Sequence, residues 1–222
     1  MYSDPNSVKR ISSLGAGPIG GGWTAHFLAR GYDVTAYLHD KSETNSFMSI
    51  LKTAWVSLAE LGLAPSASMD KLRIVTDLEE ALDGADFVQE SGPERIEVKQ
   101  KLYSEMGKIL PPSIIIGSST SGLMMSDIQS DCSTPERTVI GHPFNPPYLL
   151  PLVEIVGGKR TAPEAVAWAG EFYKVAGKAP LMMKKEIPGF VATRLQEALW
   201  REALHMVAND EATPEDIDNA LM

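Results

Sequence analysis

Apolar positions along this chain follow two rhythms. Short apolar blocks at residues 8–14, 32–37, 72–75, 86–90, 114–116 and 179–183 are too brief for helices and predict strands. Between them, apolar residues recur every three or four positions. Trp23, Phe27 and Leu28 mark a helix that stops at Gly31, and Phe47, Ile50, Leu51, Trp55, Leu58 and Leu61 mark another that Gly62 interrupts. Residues 77–82, closed by Gly84, predict a short helix; 94–109 and 164–176, the latter ended by Gly177, predict longer ones. Strand and helix alternating with short connections give an α/β fold, a doubly wound, mostly parallel sheet covered on both faces. Ligands in such a sheet sit beyond the carboxyl ends of its strands.

The rhythm changes beyond residue 186. Pro188 stands where a helix begins, and Phe190, Val191, Leu195, Ala198, Leu199, Ala203 and Met206 continue at helical spacing to about residue 208. Thr213-Pro214-Glu215-Asp216 reads as the capped start of a further helix through Ile217 and Leu221. So large an apolar stripe needs a partner, which few remaining residues can supply. The expected organisation is therefore a dinucleotide-binding domain over residues 1–186 and the opening of an all-helical substrate or dimerisation domain over 187–222.

The dinucleotide assignment rests on Gly15-Ala16-Gly17-Pro18-Ile19-Gly20, which follows the first strand and opens the first helix. Gly15 permits the tight turn, Gly17 lets the backbone approach a pyrophosphate, and Gly20 allows helix to pack closely on strand. Free amides and the positive end of the helix face the anion. Strand, loop, helix and second strand together make the context Rossmann-type. An acid is expected at the end of the second strand to bind the adenosine ribose. Leu38 stands there instead, and Asp40, two residues on, is either its substitute or a plain loop residue.

Composition narrows the class without choosing the chemistry. With 44% hydrophobic and 22% charged residues the chain is an ordinary globular one, and a net charge of −9 argues against nucleic acid or an anionic membrane as partner. No apolar run approaches the roughly 20 residues of a membrane span, and the polar stretch 1–6 lacks the apolar segment of a signal peptide. Cys132, the single cysteine, lies in a polar loop with no metal-ligand cluster, so neither an internal disulfide nor a metal site is expected. These features predict a cytoplasmic protein that acts on a small molecule.

The candidate chemistry is in the run from Gly141 to Glu154, where His142 precedes the carboxylate of Glu154 by twelve residues. A neutral imidazole accepts a proton near neutral pH, and a carboxylate on its far nitrogen fixes the tautomer and stabilises the imidazolium. By itself a His beside a Pro-rich turn reads as structural. Its company changes that: Ser118-Ser119-Thr120-Ser121-Gly122 leaves the 114–116 strand on the ligand edge, and Glu94 and Lys99 lie near the same edge, though alone they read as a surface pair.

Together with Gln89-Glu90-Ser91-Gly92-Pro93-Glu94-Arg95, Pro188-Gly189-Phe190 and the stretch from Glu197 to His205, these motifs resemble the 3-hydroxyacyl-CoA dehydrogenase superfamily over nearly the whole chain. The resemblance is strongest to its branch that oxidises L-carnitine at C3 to 3-dehydrocarnitine. It implies NAD as cofactor, His142 as general base, Glu154 as its orienting partner and Ser121 as the hydroxyl that holds the substrate oxygen. Ser119, Glu94 and Lys99 would lie along the nicotinamide and its ribose, and a homodimer would form when the helical domain is complete. Thr193 and Ser119 both stand where acyl-CoA relatives carry Asn, which points away from a CoA thioester. A sugar acid such as gulonate, a hydroxyacyl-CoA, and dinucleotide binding without turnover stay open as alternatives.

Overall fold

β1 (Arg10–Leu14) is exposed only at Arg10, and its other four residues are buried, as the central strand of a covered sheet requires. The structure, a computed structural model, describes residues 2–221; Met1 of the polar stretch 1–6 and Met222, the last residue of the expected second domain, lie outside it. After β1 come α1 (Pro18–Ala29), β2 (Asp33–Tyr37), α2 (Thr44–Leu61), β3 (Leu72–Val75), α3 (Leu78–Leu82) and β4 (Phe87–Glu90). The chain continues through α4 (Ile96–Ile109), β5 (Ile115–Ser118), α5 (Met125–Ile128), β6 (Thr138–Pro143) and β7 (Leu152–Gly157). It ends with α6 (Pro163–Val175), β8 (Ala179–Met182), α7 (Ala192–Ala208) and α8 (Pro214–Leu221).

The eight strands form one sheet in the order β3-β2-β1-β4-β5-β6-β7-β8, the doubly wound Rossmann arrangement expected. The strand order reverses between β1 and β4, which run parallel, and this leaves a crevice beyond their carboxyl ends. Register lines those ends up: Leu14 is opposite Tyr37 and Glu90, and Glu90 is opposite Ser118. The glycine loop, residue 38, Ser91 and Ser119 therefore emerge side by side. One pair departs from the parallel pattern, because β6 and β7 are antiparallel. The prolines around them had suggested a turn rather than two strands.

Two apolar clusters cover the sheet. One gathers Trp23, Phe27, Phe47, Phe87, Phe172 and Tyr173; the other gathers Leu14, Tyr103, Met106, Met125 and Ile140. Each buried ring or branched chain contributes about 1.5–3 kcal/mol relative to exposure. Cys132 lies in a loop, as expected, but its side chain is buried in the second cluster. α7 begins at Ala192 and not at Pro188, because Gly189 and Phe190 take left-handed backbone angles, φ 70° and 49°. No residue of α7 or α8 is buried, and Leu195, Leu199, Trp200 and Leu204 stand open on α7. Among the described residues, no helix is long and apolar enough to cross a membrane.

His26 on α1 is buried, and its Nε2 donates to the carbonyl of Ala176 at 2.7 Å while Nδ1 has no partner among the described residues. Burial first, then the nearby Lys178 ammonium, hold its pKa well below 6.5. The unfolded chain thus takes up a proton that the native ring declines, and stability should fall as pH drops below about 6.5, by up to about 1.4 kcal/mol per unit. Urea unfolding of the wild type and of His26→Gln between neutral and mildly acid pH checks this. The variant should show a flatter dependence, and identical slopes would count against the assignment.

Candidate functional site

His142 and Glu154 are cross-strand neighbours in the β6–β7 pair. Opposed residues on one face of antiparallel strands bring their side chains together, and His142 Nδ1 lies 2.9 Å from Glu154 Oε2. With Nδ1 engaged, Nε2 is the nitrogen left for chemistry. Glu154 is fully buried, and its second oxygen, Oε1, accepts the amides of Val191 at 2.8 Å and Ala192 at 2.7 Å. The left-handed turn at Phe190 aims those amides inward, and the Phe190 ring packs 5.5 Å from the imidazole. Phe144 stands 5.6 Å from it.

β6 runs parallel to β5 and extends beyond it, so His142 opens onto the same edge as the loop after Ser118. There a cleft of about 540 Å³ is lined by His142, Ser121, Ser119, Glu94 and Lys99, together with Thr193 from α7. Residues singled out in the sequence thus meet in one place, with Glu154 behind them. Glu94 Oε1 accepts the Thr120 hydroxyl and the amides of Ser121, at 2.9 Å, and Gly122, at 3.3 Å. Burial opposes its charge, but the Thr120 hydroxyl, Lys99 and those amides outweigh it and keep its pKa below the usual carboxylate value.

Lys99 is not on the surface. Its Nζ lies 2.6 Å from Oε1 of Glu90, and both side chains are shielded from solvent. Glu94 is a more distant partner at 3.7 Å. Glu90 also accepts the Gly92 amide at 2.7 Å and the Ser118 hydroxyl at 2.7 Å. This buried carboxylate fixes the start of two ligand-edge loops at once, and nothing local in the sequence marked it.

Ser119 Oγ accepts from Trp23 Nε1 at 3.2 Å and from Gln89 Nε2 at 2.8 Å, and it lies 2.8 Å from Ser91 Oγ. A hydroxyl has two acceptor sites and one proton. Both acceptor sites being filled, Ser119 donates to Ser91, and the hydroxyl proton left free between the two serines is that of Ser91. Ser91 lines the cleft, a role that sequence reasoning missed.

A second cleft, of about 900 Å³, runs along Gly15, Ala16, Gly17, Pro18 and Ile19 and shares Ile19, Ser91 and Gly92 with the first. Its shape suits an extended dinucleotide. A Cβ added at Gly20 would meet the Gly15 carbonyl oxygen at 2.1 Å, so loop and helix touch there, whereas one added at Gly17 meets nothing within 4 Å. Among the described residues no side chain caps the N-terminus of α1, which leaves its first amides for an anion. Gly20 itself lies behind the loop. Asp40 lines neither cleft; it is exposed and its Oδ1 accepts the Ser42 amide at 2.7 Å. Among the described residues, no group of three or more His, Cys, Asp or Glu is placed to hold a metal ion.

Comparison with known proteins agrees with this layout. The family model for the 3-hydroxyacyl-CoA dehydrogenase NAD binding domain matches residues 10–187, and that for the 3-hydroxyacyl-CoA dehydrogenase C-terminal domain matches 189–222. The L-carnitine dehydrogenase of Streptomyces coelicolor is 54% identical over 97% of this chain and 68% of its own length. That of Pseudomonas putida is 49% identical over 96% and 67%. The chain spans about two thirds of the length of these relatives, as little as 65% for the one from Streptomyces griseus. Among solved structures, an NAD+-dependent dismutase, 5-formyl-3-hydroxy-2-methylpyridine 4-carboxylic acid 5-dehydrogenase, superposes with a TM-score of 0.88 at 34% identity, covering 96% of this chain and 70% of that one. The 3-hydroxybutyryl-CoA dehydrogenase of Escherichia coli gives 0.84 at 29% identity, covering 94% and 45%.

Proposed function

The chain belongs to the 3-hydroxyacyl-CoA dehydrogenase family, and from that premise we propose that it oxidises the 3-hydroxyl carbon of L-carnitine to give 3-dehydrocarnitine. The observation that carries this reading is the His142–Glu154 pair, opening onto a cleft that joins the one along the glycine loop. Oxidation breaks the C3–H bond with its electron pair and the O–H bond without it, leaving a carbonyl. Bound NAD supplies the hydride acceptor. His142 Nε2 accepts the hydroxyl proton, and Glu154 holds the ring through Nδ1 and offsets the positive charge that forms. Ser121 steadies the substrate oxygen, and Glu94, Lys99 and Ser119 shape the nicotinamide side.

The trimethylammonium group of carnitine binds aromatic faces by cation–π attraction. Phe144 lines the cleft and is available for this; Trp200 is exposed on α7, and Tyr148 packs against the core. The domain boundary falls at residues 186 and 187. A second copy of the chain covers the open face of α7, and the enzyme works in the cytoplasm.

Steady-state assays with L-carnitine, 3-hydroxybutyryl-CoA and gulonate, each with NAD and NADP, test the assignment. NADH formation from L-carnitine well above that from the other two is expected. Faster oxidation of 3-hydroxybutyryl-CoA or gulonate would overturn the substrate. NADH binding with no oxidation of any would favour the second reading, dinucleotide binding without turnover, for which the open apolar face of α7 speaks.

A further inference from the structure

The cleft along the glycine loop continues past Tyr37 to His39 and Glu43. We propose that the Glu43 carboxylate binds the adenosine ribose hydroxyls of NAD, in place of the acid this fold usually carries at the end of its second strand, and that it selects NAD over NADP.

The usual position cannot serve. Leu38 is fully buried and packs in the cluster with Phe47 and Leu51. Asp40, the next acid along, is turned to the Ser42 amide and stands off the cleft. Glu43 does line the cleft and is half-buried. Its Oε2 accepts the Asp40 amide at 3.2 Å, completing a capping box with Asp40, while Oε1 has no partner among the described residues. One oxygen thus holds the side chain in place, and the other is left as an acceptor.

Ribose hydroxyls need such a group, since an ionised carboxylate only accepts. A 2′-phosphate is the opposite case. It would bring its negative charge into a cleft that Glu43, Glu97 and Glu105 also line. Lys101 and His39 face the same space, but Lys101 already lies 4.0 Å from Glu105. The local balance therefore disfavours a further anion.

This inference rests on NAD binding and not on the choice of carnitine, so a binding experiment tests it. NADH and NADPH are titrated by fluorescence into the wild-type chain, Glu43→Gln, Glu43→Ala and Asp40→Ala, with thermal unfolding as a check on folding. Wild type should bind NADH more tightly than NADPH. Glu43→Gln and Glu43→Ala should weaken NADH by about 10- to 100-fold, the range for a hydrogen bond to a charged group, and narrow the gap to NADPH. Asp40→Ala should stay within about two-fold of wild type. NADH affinity unchanged in Glu43→Gln would overturn the proposal alone, and so would an Asp40→Ala loss equal to that of Glu43→Ala, since the cap would then be responsible. A wild-type chain that binds no NADH would overturn the cofactor reading along with it.

Discussion

Replacing His142 with alanine should lower kcat for alcohol oxidation by about 10²- to 10⁴-fold, the usual worth of a positioned general base. The ring has one nitrogen committed to Glu154, and the only proton acceptor it offers the cleft is Nε2. NADH affinity should hardly change, because His142 lines the smaller cleft and not the one along the glycine loop. Folding should also survive: Glu154 keeps the amides of Val191 and Ala192 when the imidazole is gone. Turnover assays paired with NADH titration check the split. Undiminished turnover would remove His142 from the chemistry, and a parallel loss of NADH binding would mean that the substitution disturbs the scaffold.

Lys99→Met should be the most damaging change to stability, at about 3–5 kcal/mol. The substitution keeps most of the volume but leaves the Glu90 carboxylate at zero exposure with only the Gly92 amide and the Ser118 hydroxyl as partners. The large figure is the cost of an uncompensated buried charge, not the net worth of the pair. Neutralising the carboxylate as well, in Lys99→Met/Glu90→Gln, should therefore recover part of the loss. Denaturant unfolding of the two single variants and the double gives the coupling energy. Strictly additive losses would show that the two groups do not stabilise each other.

Much of the fold was legible because burial on both faces of a parallel sheet leaves compact apolar blocks, and the glycines end helices where the spacing says they should. β3 was read at its observed bounds, Leu72–Val75, and β8 within a residue. The β6–β7 pair was not legible as strands. Pro143, Pro146, Pro147 and Pro151 punctuate that stretch, and proline reads as a turn whether it stands inside a strand end or between two strands. The twelve-residue separation of His142 and Glu154 acquires meaning only once the hairpin sets them opposite each other.

Elsewhere the missing information was long-range. Glu94 and Lys99 looked like an ordinary helix-surface pair, since the partner that buries Lys99 comes from β4. Ser91 and Ser119 belong to different loops, and which of them keeps a free proton depends on Trp23 and Gln89 from two further elements. Asp40 was the acid read in place of Leu38, and Glu43, three residues further on, was not singled out. The short capping turn decides between them, turning one carboxylate away from the cleft and holding the other along it.

Glu154 joins two parts of the molecule by a single rigid group. One oxygen steers the imidazole and the other, on the same planar carboxylate, seats the first amides of α7. The seat of α7 and the aim of the proton-accepting nitrogen therefore depend on one carboxylate.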